Sequence, residues 1–374
     1  MRGVFVWSMI CASLGAACEL PARTSWGERS PVPIRERRDK LGAPADPGRL
    51  RVAAWNLKFG AGRIDFWFDF WGDRVQMTLE EVGSNMEAIY ALLREVDADL
   101  LMTSEIEIGS RRSAYYDMVA GILENAGFNY AAFFPNWESR YVPSEGVGRL
   151  EMGNAIFSRY PIVSAERIAQ AEREDLSPER WYFYLHRCLG RAVLDLGDRQ
   201  VAAYAVHAEA YDRDRTKSKH IQQVLEEMQA EPLQFVVGGD FNAIPPNAAR
   251  VEGFPDEHPS AIGTEFENPP YVLSDMEPFF AELVPAIPLP RMGDTETSQR
   301  RYYTHSVIGP DTLGTDGEPG FWNRTLDYLF VRAPDGWDPS TTDVLQQPGD
   351  SGIQSNPLFL SDHAPIVGTW VISP

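Results

Sequence analysis

The chain has 374 residues, 44% of them hydrophobic and 24% charged, an ordinary globular composition with enough length for a large core. Its formal net charge of -20 argues against an affinity built on a broad basic surface, although a bound cation would supply positive charge locally. Solubility accounts for most of that acidity.

At the start, Arg2 precedes an apolar stretch over 4–17, about the length of a secretory signal and short of the roughly 20 residues that a spanning helix needs. It ends Leu14-Gly15-Ala16-Ala17-Cys18, which resembles a bacterial lipoprotein cleavage site with Leu14 one place further from the cysteine than usual. Two readings stay open, ordinary signal cleavage and acylation of Cys18, and both imply export to the periplasm, the membrane surface or the exterior. With Cys11 lost in the signal and Cys18 lipidated, Cys188 would stand alone and no intrachain disulfide forms. Residues 1–18 therefore read as a signal peptide and 19–50, rich in Pro, Arg, Asp and Gly, as a flexible tether. The folded domain is expected over 51–374.

From there extended apolar runs alternate with helical patterns. Residues 51–57 read as a strand, 79–96 as an amphipathic helix, 100–104 as a buried strand and 113–126 as a helix. Strands follow at 155–157, 188–196 and 201–206, then a helix at 216–230 and strands at 235–238, 325–332 and 364–372. Residues 245–323 are irregular apart from one short helix at 276–283, and loops this long are usually functional or mobile.

The chemistry gathers where apolar runs end. Polar residues follow such runs in Ala54-Trp55-Asn56-Leu57, Thr103-Ser104-Glu105-Ile106, Val206-His207, Gly239-Asp240-Phe241-Asn242 and Ser361-Asp362-His363-Ala364. Strands of an α/β sheet deliver such residues to one crevice. A sixth segment, Leu326-Asp327-Tyr328, places a carboxylate inside an apolar strand, which is costly unless the charge is paired. Taken singly, Asn56 reads as a turn former, Glu105 as a solvated acid and Gly239-Asp240 as a turn. As an ordered set they point to a site.

Those segments resemble the endonuclease/exonuclease/phosphatase superfamily over about residues 51–370. Gly239-Asp240-Phe241-Asn242 and Ser361-Asp362-His363 carry most of the likeness, with Gly153-Asn154-Ala155-Ile156-Phe157-Ser158 as a further match. Ser104-Glu105-Ile106 stands where Gln-Glu-Val is common, and Ala208 follows His207 where leucine is usual. The resemblance implies a four-layer α/β sandwich with two facing mixed β-sheets and helices outside. It also implies a phosphoesterase in which Glu105, with Asn56 and Asp362, holds Mg²⁺ or Mn²⁺. Asp240 would activate water and Asn242 would donate to a phosphoryl oxygen. His207 and His363 would flank the phosphate, with Asp327 orienting His363.

The implied partner is a phosphate-ester substrate, either nucleic acid or a lipid headgroup, and no protein partner is inferred. An endonuclease or other phosphodiesterase leads. A sphingomyelinase-like lipid phosphodiesterase, an inositol phosphate phosphatase and a non-catalytic binding module are the alternatives, the last opposed by the full set of expected catalytic residue types. His186, His220, His258 and His305 lack motif context and read as core or surface histidines. Tyr184, Arg187 and Arg191 are within reach of a phosphate or serve as core. The aromatic run Phe66-Trp67-Phe68-Asp69-Phe70-Trp71 is expected at the rim of the cleft or as a buried plug. Serine-hydrolase elbows, Walker A loops, His-Glu-x-x-His and Cys-x-x-Cys do not occur.

Overall fold

The computed structural model describes residues 21–42, 46–211 and 213–374. The signal peptide expected over 1–18, including Cys18, lies outside them. Among the described residues, no helix is long and apolar enough to cross a membrane.

The strands in chain order are β1 (Arg29–Pro31), β2 (Ile34–Glu36), β3 (Arg49–Asn56), β4 (Leu100–Glu107), β5 (Tyr130–Val142), β6 (Gly148–Ser158) and β7 (Ile162–Ala169). The series continues with β8 (Cys188–Asp195), β9 (Gln200–His207), β10 (Gln234–Asp240), β11 (Val284–Pro285), β12 (Asp327–Val331), β13 (Gly336–Val344) and β14 (Ile366–Val371). They form two seven-stranded sheets, one ordered β13-β14-β3-β4-β6-β5-β2 and the other β1-β7-β8-β9-β10-β12-β11. Both are mixed, since β3 runs parallel to β4 and β9 parallel to β10 among otherwise antiparallel neighbours.

Alternation along β3 shows how the layers are built. Leu50, Val52 and Ala54 join the core between the sheets, whereas Ala53 and Trp55 pack with Val82, Met86, Ile89 and Leu93 of the helix Leu79–Val96. A strand covered on both faces reads as a continuous apolar run, as this one does. That helix starts at a capping box between Thr78 and Glu81 and stops at Asp97 in the left-handed region. On the second sheet the helix Thr216–Ala230 buries Ile221, Val224, Leu225 and Met228. The sandwich and its helices are the architecture that the resemblance implies.

Several local expectations change. The second helix runs Met118–Asn125, five residues later than expected, because Ala114 and Tyr115 sit at φ 52° and 61° and Asp117 caps the first turn through Ala120 N–H. β5 and β13 were not evident in sequence, since Pro135 and Pro339 and local bulges break their alternation. Residues 21–50 are not a plain tether. β1 extends the second sheet along β7 and β2 extends the first along β5, so one short segment closes an edge of each sheet.

Candidate active site

Backbone register puts the first three functional groups in a row. In the second sheet Asp240 of β10 is paired with His207 of β9 on one side and with Asp327 of β12 on the other. The glycines ahead of Asp240 permit this close packing. Gly239 has φ +133°, and a Cβ there would lie 2.2 Å from the Val206 carbonyl oxygen. In the facing sheet Asn56 ends β3 beside Ser104, while an irregularity in β4 between Thr103 and Ile106 places Glu105 at φ 52°. The turn before β14 brings Asp362 and His363 alongside, held by Ser361 Oγ donating to the Asn56 carbonyl (2.7 Å) and by Trp55 Nε1 donating to the His363 carbonyl (2.8 Å).

The two sheets then meet through side chains. Asn56 Nδ2 donates to Asp240 Oδ2 at 3.1 Å and to Glu105 Oε1 at 3.2 Å. His207 Nε2 stands 3.6 Å from Glu105 Oε1 and 3.7 Å from Asp240 Oδ2. His363 Nε2 lies 3.6 Å from Asp240 Oδ2, and its Nδ1 is 2.8 Å from Asp327 Oδ2. Asn242, at φ 48°, donates its backbone N–H to Asp240 Oδ1 (2.8 Å), and its side-chain Nδ2 donates to the Ala208 carbonyl oxygen and to Asp240 Oδ2. Its amide hydrogens therefore meet protein acceptors.

Electrostatics separate the two imidazoles. Burial, Arg187 and His363 push the pKa of His207 well below 6.5, so it is neutral. Burial also opposes the charge on His363, but Asp327 and Asp240 outweigh it and raise its pKa to about 10. Asp240 is pushed up to about 7 by burial and by Asp327, against the pull of His363. Burial and the neighbouring Asp362 raise Glu105, whereas Asp362 is lowered because Lys58, His363 and Arg63 overcome its burial.

A hard divalent cation fits this donor set. Glu105 and Asp362 are facing anions whose mutual repulsion a cation would relieve, and the Asn56 side-chain oxygen Oδ1 has one lone pair left beside its bond from Lys58 N–H. Among the described residues the tight groupings of three ionisable donors are Asp240, Asp327 and His363, and His305, Asp362 and His363. Glu105 belongs to neither.

Sequence reasoning passed over three groups here. Lys58 is buried with its Nζ 3.1 Å from Asp69 Oδ2 and 3.6 Å from Asp362 Oδ2. Its place two residues after Asn56 was the available signal. Asp69, held near 6 by burial and Asp362 against Lys58, ties the aromatic run to the site. His305, read as an ordinary histidine, packs its ring 4.5 Å from that of His363. Conversely, Arg187 and Tyr184 are committed to the buried Glu209 carboxylate, and Arg191 to Glu231 and Glu166.

The aromatic run divides between the two expectations. Phe66 is fully buried against Phe59 and Phe68. Trp67 meets Phe266 edge-on, Phe70 stacks over His258, and Trp71 Nε1 donates to the Asp256 carbonyl. These rings are half-buried and make a wall with the loop around 254–271, and Asp69 of the same run reaches Lys58.

The chain has relatives among known proteins. The endonuclease/exonuclease/phosphatase family profile matches residues 53–363. No curated protein matches significantly. Among solved structures, an endonuclease/exonuclease/phosphatase from Beutenbergia cavernae DSM 12333 is similar at 18% identity and TM-score 0.51, over 87% of this chain and 72% of that one. Another from Bacteroides vulgatus is similar at 12% identity and TM-score 0.51, over 87% and 99% of the two chains. The chain thus belongs to the endonuclease/exonuclease/phosphatase family and is a hydrolase of phosphate esters that depends on a divalent metal.

Proposed function

We propose that the chain is a Mg²⁺-dependent phosphodiesterase. The observation that carries this reading is the position of Asp240 Oδ2, within 3.1–3.7 Å of Asn56, His207 and His363, where an amide, a neutral imidazole and a charged one surround one carboxylate oxygen. Glu105 and Asp362, with the Asn56 oxygen, would hold the Mg²⁺, which when bound neutralises phosphoryl charge. Asp240 takes the proton of the attacking water. His363 donates through Nε2 to a phosphoryl oxygen, and Asp327 keeps it in that tautomer and charge state. His207 supplies a neutral hydrogen-bonding edge, and Asn242 fixes the Asp240 carboxylate.

The half-buried rings of the rim suit bases of a nucleic acid, which stack at about 1–3 kcal/mol each. A lipid phosphodiester is the second reading, supported by Ile262, 71% exposed on the same loop. Export, and membrane attachment through Cys18, are part of this proposal and rest on the sequence of 1–18. The test is a Mg²⁺ panel of aryl phosphodiester, aryl phosphomonoester, plasmid and single-stranded DNA, RNA, sphingomyelin and phosphoinositides. Faster cleavage of diesters than of monoesters, lost with a chelator, is expected. A preference for monoesters overturns the reading.

A further inference from the structure

We infer that His305, Asp362 and His363 form a second metal site, suited to Zn²⁺ and similar nitrogen-seeking ions, adjoining the oxygen-lined Mg²⁺ position and sharing Asp362 with it.

The first support is geometry. Candidate ligand atoms of the three side chains lie within 4.8 Å of one another. Their backbones are locked together, because His305 and His363 form an antiparallel bridge flanked by Ser306 N–H to the Asp362 carbonyl and Ala364 N–H to the Thr304 carbonyl. Such ligands need little ordering on binding.

The second is an unused donor atom. His305 is 8% exposed, and its Nδ1 is buried without a hydrogen-bond partner. An orphaned buried ring nitrogen is costly unless something fills it.

The third is the outer contact of His363. Its Nδ1 is 2.8 Å from the Asp327 carboxylate, the arrangement that orients a metal-bound imidazole and strengthens its ligation. Two imidazoles and one carboxylate suit Zn²⁺ better than Mg²⁺, which prefers oxygen.

A metal ion on His363 Nε2 would occupy the atom that faces the phosphoryl oxygen, since Nδ1 is taken by Asp327. Occupation of the site therefore inhibits hydrolysis. This consequence rests on the role given to His363 under the proposed function, while the binding does not.

The test uses the whole protein with Mg²⁺ saturating. Titration with Co²⁺ should produce a visible absorption typical of nitrogen ligands, saturating at one ion per chain and displaced by Zn²⁺. In His305→Gln the affinity should fall about tenfold or more. On the wild-type chain, Zn²⁺ should shift the imidazole resonances of His305 and His363 and leave His258 and His220 in place, which guards against a variant that misfolds. Absence of the absorption together with unmoved His305 resonances overturns the inference. If Zn²⁺ binds as expected without inhibiting, the metal site stands and the role of His363 in hydrolysis fails.

Discussion

Asp327→Asn isolates the pairing on which the charged imidazole depends. Asp327 is fully buried, its Oδ1 has no hydrogen-bond partner, and its Oδ2 meets His363 Nδ1 at 2.8 Å. An amide of the same shape removes the charge and leaves His363 with Asp240 and Asp362. Burial then outweighs the remaining attraction, and the His363 pKa should fall from about 10 to the neutral range or below. Loss of the correctly protonated donor is expected to lower kcat/KM on an aryl diester by about 10²–10⁴-fold. The same pairing sets a stability window. Because the folded pKa is raised above the ordinary 6.5, the contribution is complete below pH 6.5 and is lost as pH rises through about 10. In Asp327→Asn that alkaline decline in the urea midpoint should shrink. His363→Ala should impair turnover similarly, and the double variant should be little worse than His363→Ala, since groups acting as a unit are not additive. An unchanged His363 titration by NMR, or fully additive losses, would refute the pairing as the source of the effect.

Other expectations follow from neighbouring contacts. Glu105→Gln should abolish Mg²⁺-dependent turnover with an unchanged circular dichroism spectrum, because it removes a formal charge at almost constant volume; a near wild-type rate at saturating Mg²⁺ would take Glu105 out of the site. Trp67→Ala with Trp71→Ala should spare a small soluble diester and lose a macromolecular or lipid substrate at least about tenfold, as two lost stacking contacts imply. Equal rates on both substrates would remove the wall from recognition. His220 accepts from Glu209 N–H at Nδ1 and donates from Nε2 to the Ala171 carbonyl, and burial lowers its pKa to about 4. Its folded pKa lies below the ordinary one, so its contribution is present above pH 6.5 and lost as pH falls through about 4. An NMR titration of His220 centred near 6.5 would contradict this.

What the sequence determined by itself was local. The helices Leu79–Val96 and Thr216–Ala230 appear with the expected bounds, because periodicity and, in the first, a capping box are signals carried within one stretch of chain. The strands ending in Asn56, His207 and Asp240 were legible for a related reason, since buried strands read as apolar runs and the polar residue that ends each run stands out. Tertiary structure decided the rest. That Asn56 reaches Asp240 across two sheets, 184 residues apart, follows from sheet packing, which no local pattern encodes. His305 carries no motif and becomes notable only through its bridge to His363, and Asp69 only because a loop folds it onto Lys58. Residues 29–36 looked irregular because edge strands of three residues bury little and show no alternation; their pairing depends on β5 and β7, whose edges exist only once both sheets have formed.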